Sequence, residues 1–516
     1  NSVPYLKKVN QSILPNKKND NKNGKDAKDK DKGKEDEDNQ LAEEVQKGKK
    51  KHGKNDSIDK PDVGRILLNG TVRLLMSVRN VSANYSQGRA TTLPGYMHSA
   101  TLVGHTRESS SPGFLFMFGG QPDIQTVGAR NGWLTTDSMM NTAYQRTKNQ
   151  VMNFRATVEP FKDFRIDVSA NRNFTENFSE YFHVDALGNV SHYTPQRSGS
   201  FSMTYCGLGT FFMNHDDLFQ EFRAVRAQLA DRYAQNNPNC TGDTDPETGF
   251  PVGYSAISQD VLMGAFMTTY LKKDVEKGNI FSPFLKIPLP NWRLNYNGLT
   301  KIKGMNKVFQ SFSLTHNYTC NYNVGSYSTN IAYTHDDEGF PTAYNTLGDF
   351  IATHELSQMA ISEQFAPLIG FDMTLKNSML LKVEYRQSRN VSLSFANTQI
   401  TETTGKEISV SAGYRFKDLA FNVKFADRTH KLKSDLVLQL NLTYNSNMTT
   451  IRKINQNLSQ ISSGSSVWMA EVSAEYALTT SLTAKAFFQT NINTPYISNS
   501  YPNSTTKGGL TIRFTF

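Results

Sequence analysis

From position 63 to the end of the chain, apolar and polar residues alternate over long stretches. Ile408, Val410, Ala412, Tyr414 and Phe416 share one parity, and Ser409, Ser411, Gly413 and Arg415 the other. The pattern returns over 419–425, 436–444, 468–476 and 482–488, and upstream over 379–385 and 391–395. A period of two held over so many segments predicts strands with one apolar face. Further strands are predicted near 65–78, 79–87, 149–158, 163–184, 190–206, 291–299, 308–319 and 322–334. The total is about 17 strands.

A soluble sandwich alternates too, so the connections must decide. In a membrane barrel the periplasmic turns are short and the outer loops long. Counting back from the C-terminus, short turns are predicted at 479–480, 445–447, 417–418 and 376–378. Longer connections fall between them, at 491–506, 455–466, 426–433, 397–406 and 335–367. A sandwich has no reason to sort its loops in this way. The expected fold is therefore all-β, a transmembrane antiparallel β-barrel with its C-terminus on the periplasmic side of the bacterial outer membrane. The hairpin at Leu187-Gly188-Asn189 is expected outside, on strands longer than the roughly 9–11 residues a crossing needs. An odd strand count and a first strand descending from outside both imply that upstream strands complete the barrel. The sequence is thus expected to be the C-terminal portion of a very large one.

Two segments depart from the pattern and divide the chain into 1–62, 63–206, 207–290 and 291–516. Between 16 and 60 nearly every side chain is charged or amide. Nothing there can anchor a core, so 1–62 is expected to be a charged, largely disordered loop. Residues 207–290 sit where a short inner turn should be and are expected to form a small, partly helical insertion on the periplasmic side. Leu218, Phe222, Val225, Leu229 and Tyr233 line one face of a helix, with Asp216 at its N-cap. A second helix is expected over 261–271. Such an insertion either gates or plugs the lumen, or braces the wall.

Composition agrees with a barrel. Only 37% of the 516 residues are hydrophobic, yet there are 22 Tyr and 32 Phe. That is lean for a soluble core and sufficient where alternate residues face a polar interior. No apolar run reaches the 18 or so residues of a spanning helix. The net charge is +9, and the first 60 residues hold 16 Lys against 12 Asp and Glu. The excess elsewhere is thin and no recognition fold accompanies it, so nucleic acid is not an expected partner. Cys206, Cys240 and Cys320 make no disulfide framework, though Cys206 and Cys240 remain an open pair.

Catalytic signatures are missing. There is no G-x-S-x-G elbow, H-E-x-x-H or phosphate loop, so no enzyme activity and no cofactor is expected. His215-Asp216-Asp217 and His335-Asp336-Asp337-Glu338 carry ligand residue types for a divalent cation. Both are expected to be polar ends of elements rather than metal sites. Trp292, Tyr296, Tyr322, Tyr333, Tyr385 and Tyr414 are candidates for interfacial aromatic girdles, or for ordinary packing.

The run Ser258-Gln259-Asp260-Val261-Leu262, with Ala265-Phe266 and Tyr270, leads to Pro288-Leu289-Pro290-Asn291-Trp292-Arg293-Leu294. This resembles the SprA/Sov family, the outer-membrane translocons of the type IX secretion system in Bacteroidetes. Ser77-Val78-Arg79-Asn80-Val81-Ser82, Leu93-Pro94-Gly95-Tyr96 and Gly413-Tyr414-Arg415-Phe416-Lys417-Asp418 resemble it as well. The resemblance covers about 63–516, and Pro288, Pro290, Asn291 and Trp292 are its most specific residues. It implies a single barrel of about 36 strands that passes folded cargo bearing a C-terminal signal domain. It also implies a PorV-type shuttle barrel and a periplasmic plug protein as partners.

The last strand carries a signal of its own. Leu510, Ile512, Phe514 and Phe516 alternate with Thr511, Arg513 and Thr515. This resembles the C-terminal signal read by the barrel-assembly machinery, which would capture it by strand addition. The expected function is a protein-conducting channel set in outer-membrane lipid and lipopolysaccharide. A small-solute transporter or porin and a surface adhesive barrel are the alternatives.

Overall fold

A computed structural model describes residues 77–99, 106, 111–273, 282–425, 428–456, 458–479 and 481–515. The charged segment 1–62, most of the first predicted strand, and Phe516 lie outside them. The described residues form one antiparallel sheet of 14 strands. These are β1 (Val78–Thr92), β2 (Tyr144–Phe161), β3 (Phe164–Val184), β4 (Val190–Thr204), β5 (Asn291–Tyr296), β6 (Phe309–Thr329) and β7 (His354–Leu356). Then come β8 (Gln358–Leu375), β9 (Met379–Ser394), β10 (Gln399–Phe425), β11 (Arg428–Lys453), β12 (Leu458–Ala477), β13 (Leu482–Pro495) and β14 (Asn503–Phe514). Helices α1 (Phe114–Met117) and α2 (Ile124–Arg130) lie between β1 and β2. Helices α3 (Leu208–Phe211), α4 (His215–Asn236) and α5 (Gln259–Leu271) lie between β4 and β5.

Among the described residues the sheet runs β1-β2-β3-β4-β6-β8-β9-β10-β11-β12-β13-β14, with β5 between β3 and β6 and β7 on β6. We call the end where β14 finishes the lower end. Most lower connections are short, at 162–163, 376–378 and 478–481 and between Phe425 and Arg428, but the one between β5 and β6 runs from 297 to 308. The two long ones, 93–143 and 330–357, are both upper. The turn at 376–378, the turn near 479–480 and the upper hairpin at Leu187-Gly188-Asn189 are therefore where the sequence placed them.

Several strands run longer than the alternation suggested. Lys417-Asp418 is not a turn but a bulge inside β10, where the register slips between Phe416 and Leu419. Asp418 takes a positive φ of 57° and its N–H donates to Asp435 Oδ1 at 3.0 Å. The polar pair does break the alternation, but it adds a residue to one strand rather than reversing the chain. Residues 445–447 lie mid-strand in β11, and much of the predicted loops 397–406, 455–466 and 491–506 is strand. Merging such halves lowers the count among the described residues to 14, against about 17 expected over a chain whose first predicted strand lies mostly outside them.

The largest correction concerns 207–290, expected as a partly helical insertion at the lower, periplasmic end: it is partly helical but does not sit at the lower end. β4 stops at Thr204, partway down the sheet, and β5 resumes the same position between the same neighbours. β3 and β6 flank β4 above and β5 below. The excursion leaves and re-enters through a narrow neck, where the Leu289 N–H donates to the Thr204 carbonyl at 3.1 Å. In between, α4 buries the expected face of Leu218, Phe222, Val225, Leu229 and Tyr233, while α5 is buried on every side from Asp260 to Leu271. The N-cap of α4 is Asn214 rather than Asp216; its side chain accepts the Asp216 N–H at 3.1 Å. These helices pack on the upper half of the wall, against Tyr318, Cys320, Tyr322 and Val324 of β6 and Met359, Ile361 and Phe365 of β8. They also meet Val391 and Leu393 of β9 and Ile400 of β10.

Candidate functional site: a two-faced wall and its ionic junction

β10 pairs without slippage with β9 over Gln399–Tyr414 and with β11 over Gln399–Phe416, so its even residues all share one face. In the lower half this face is an exposed apolar band. It includes Ile408, Leu438, Leu440, Leu442, Trp468, Val472, Phe488, Ile492, Leu510, Ile512 and Phe514, all exposed. Aromatic residues mark its margins. Tyr385, Tyr444 and Trp468 lie in one register row at the upper margin, with Tyr444 and Trp468 ring centroids 4.6 Å apart. Tyr414 and Phe416 lie at the lower margin, and Phe161, Phe164 and Tyr296 cluster at the lower end of β2, β3 and β5. From Leu436 to Tyr444 the band spans about the 9–11 residues of a membrane-crossing strand. An apolar exposed belt between aromatic rows is the lipid face of an outer-membrane barrel wall.

The opposite face is polar. It carries Ser411, Arg415, Gln439, Asn441 and Glu471, and the ion pairs Lys382–Glu384 (2.8 Å), Arg386–Glu384 (2.6 Å) and Arg386–Glu407 (3.0 Å). Apart from Leu368, in the β8 bulge, no described residue of this parity in β8, β9 or β10 joins the hydrophobic core that holds the helices. The excursion therefore packs on the upward continuation of the lipid face and leaves the polar face clear.

Where band gives way to helices, the apolar parity turns ionic. Arg389 of β9, Glu402 of β10 and Arg452 of β11 are each buried within a few residues of one another in register. The Glu402 carboxylate accepts from Arg389 Nε at 3.0 Å and lies 2.6 Å from His215 Nδ1 and 3.6 Å from Arg452. Arg389 also donates to the Thr210 carbonyl (2.9 Å) and hydroxyl (3.2 Å), and Arg452 to Asp216 (2.6 Å). Three wall strands are thus tied to the start of α4 through one carboxylate. The sequence held a signal for this junction in charges standing on an apolar parity, at Arg389, Glu402 and Arg452.

The remaining residues singled out by sequence separate. Leu510, Ile512 and Phe514 lie on the lipid face of β14, paired with Ala486, Ala484 and Leu482. Pro288 and Pro290 form the returning side of the neck. Asn291 Oδ1 accepts the Cys320 N–H at 2.8 Å, and Trp292 stacks on Tyr318 at 4.3 Å. The Pro-Leu-Pro-Asn-Trp block is thus where the chain re-enters the sheet. Tyr322 is no girdle residue; it is fully buried under the excursion and donates to the Pro283 carbonyl at 3.0 Å. Tyr333 lies in an upper loop and donates to the Gly339 carbonyl at 3.2 Å. His215 and Asp216 belong to the ionic junction, while Asp336 accepts from Asn239, Glu338 and Phe340. Among the described residues no cluster of three ligand-type side chains could hold a metal, and all three cysteines are unpaired.

No family model matches the chain, and no curated protein does. Among solved structures it is similar to OmpT, an outer membrane protein of Vibrio cholerae, in its trimer form. The identity is 8% over 72% of this chain and 93% of that one, with a TM-score of 0.20. A loop L8 deletion mutant of OmpT gives 10%, 72%, 93% and 0.18. An anion-selective porin from Comamonas acidovorans gives 7%, 74%, 95% and 0.11. At such TM-scores no residue of theirs corresponds to a residue here.

Proposed function

We propose that this chain is a wall segment of a protein-conducting outer-membrane barrel of the type IX secretion kind, with the lower end periplasmic. The observation that carries this reading is the position of the excursion. A solute-selective barrel narrows its lumen, whereas here the described helices of the 205–290 excursion pack on the lipid-face parity and not on the polar face. The resemblance in Pro288–Trp292 adds the partners: folded cargo with a C-terminal signal domain, a PorV-type shuttle barrel, a periplasmic plug and the barrel-assembly machinery. The protein would work without covalent chemistry, supplying a wetted path while energy comes from elsewhere.

The test is passage of cargo. The complete barrel, purified and reconstituted in proteoliposomes without its plug, should transmit a folded reporter fused to the signal domain. A barrel that admits only sugar-sized solutes would refute protein conduction and favour the porin alternative.

A further inference from the structure

The excursion begins with an apolar corner that its own core does not use. Phe211 is buried against Phe365, with centroids 4.9 Å apart, but the next residue, Phe212, is 60% exposed. Leu208 and Met213 beside it are exposed as well. This corner is not loosely hung. The Gly207 N–H donates to Tyr318 Oη at 2.9 Å, and Arg389 holds both the carbonyl and the hydroxyl of Thr210.

Its height on the wall is set by register. Phe212 stacks on Phe365 at 5.6 Å, and Phe365 pairs with Gln387 of β9. Gln387 is two residues above Tyr385, which lies in the aromatic row at the upper margin of the band. Below Phe365 the chain bulges, and exposed Ile369 pairs with Tyr385 itself. Trp292, Tyr318 and Phe365 form a chain of ring contacts at 4.3 and 4.9 Å that ends under Phe212. Exposed apolar side chains thus continue above the margin, from Ile369 to Phe212 on Phe365, with Gln387 and Lys406 as polar neighbours in the same row.

We infer that this corner is a foot that rests in the outer leaflet: Phe212 and Met213 dip into the headgroup–acyl boundary and the helices stand on lipid. The occupant is lipid rather than a protein because the surface continues the lipid face. Aromatic and long apolar side chains beside polar anchors are what such boundaries accept. The inference rests on the band being the lipid face.

A photoreactive benzophenone amino acid in place of Phe212, in the full-length protein assembled in its own outer membrane, tests it. The same group in place of Phe488, in the band, and of Asn441, on the polar face, serves as reference. The expected result is a phospholipid or lipopolysaccharide adduct at 212 and 488, distinguished by mass, and none at 441. A protein adduct, or no adduct, at 212 while 488 captures lipid overturns the foot alone. Failure of 488 to capture lipid, or lipid at 441, overturns the lipid-face reading beneath it.

Discussion

Replacing Glu402 with glutamine removes the one carboxylate that Arg389, Arg452 and His215 share, at nearly constant volume. Glu402 is 3% exposed, and both guanidiniums are buried beside it. Arg452 keeps Asp216 and Arg389 keeps Thr210 and the facing Glu363, but Arg389 loses the one carboxylate it hydrogen-bonds among the described residues. Breaking a buried pair by deleting one partner costs about 3–5 kcal/mol, because a charge is left without compensation. The lower figure applies here, since the amide oxygen of glutamine still accepts one hydrogen bond, giving about 3 kcal/mol. The cost falls on the joint between helices and wall, not on the membrane-crossing strands. Hydrogen exchange in nanodiscs reads it directly. Amides of α4 should exchange roughly a hundredfold faster, as about 1.4 kcal/mol per factor of ten requires. The lower halves of β10 and β11 should be unchanged. A companion variant, Glu402→Leu with Arg389→Met, replaces the pair with apolar groups and should recover much of the loss. Unaltered α4 protection in Glu402→Gln, or a double variant as loose as the single one, would refute the junction as the tie.

Three further outcomes are expected. Burial pushes the Asp260 carboxyl up to about 6, so the folded excursion binds its proton more tightly than the unfolded chain. Its stability is then greatest below about pH 4, falls between about 4 and 6 and is flat above. Asp260→Asn should flatten this profile and add up to ~3 kcal/mol at pH 7, an upper bound because the start of α5 favours negative charge; thermal melts of α5 at pH 4 and 7 check it. Leu440→Arg should cost about 2–4 kcal/mol and lower the amount of heat-modifiable barrel, while Gln439→Arg on the polar face should not; equal losses from both would mean the faces are misassigned. Asn291→Ala leaves the Cys320 N–H without its acceptor and should cost about 1–3 kcal/mol, seen as faster exchange at the neck with the lower sheet unaffected.

The strands were legible because burial on one face leaves a period-two trace that needs no tertiary knowledge. The face assignment of Ile408–Phe416, the amphipathic face of α4 and the tight turn at 376–378 all follow from it. Strand ends were not legible. Lys417-Asp418 has turn chemistry whether it closes a hairpin or makes a bulge, and only the partner strand decides. The site was partly legible: Trp292 and Asn291 stood out as a block, but their task at the neck depends on Thr204, 87 positions upstream of Asn291. Arg389, Glu402 and Arg452 were visible as charges on an apolar parity. Their meaning required knowing that the helices fold back over that face, and local propensity carries no record of such a docking.

The interrupted strand has an architectural consequence. Because β4 and β5 together fill a single position between β3 and β6, the excursion adds nothing to the circumference of the wall. Its exit and return lie side by side at Thr204 and Leu289. Residues added at this neck lengthen the excursion without moving any other strand, while the wall keeps the same number of positions. Size of the superstructure and number of strands in the wall are thereby separate variables in this scaffold.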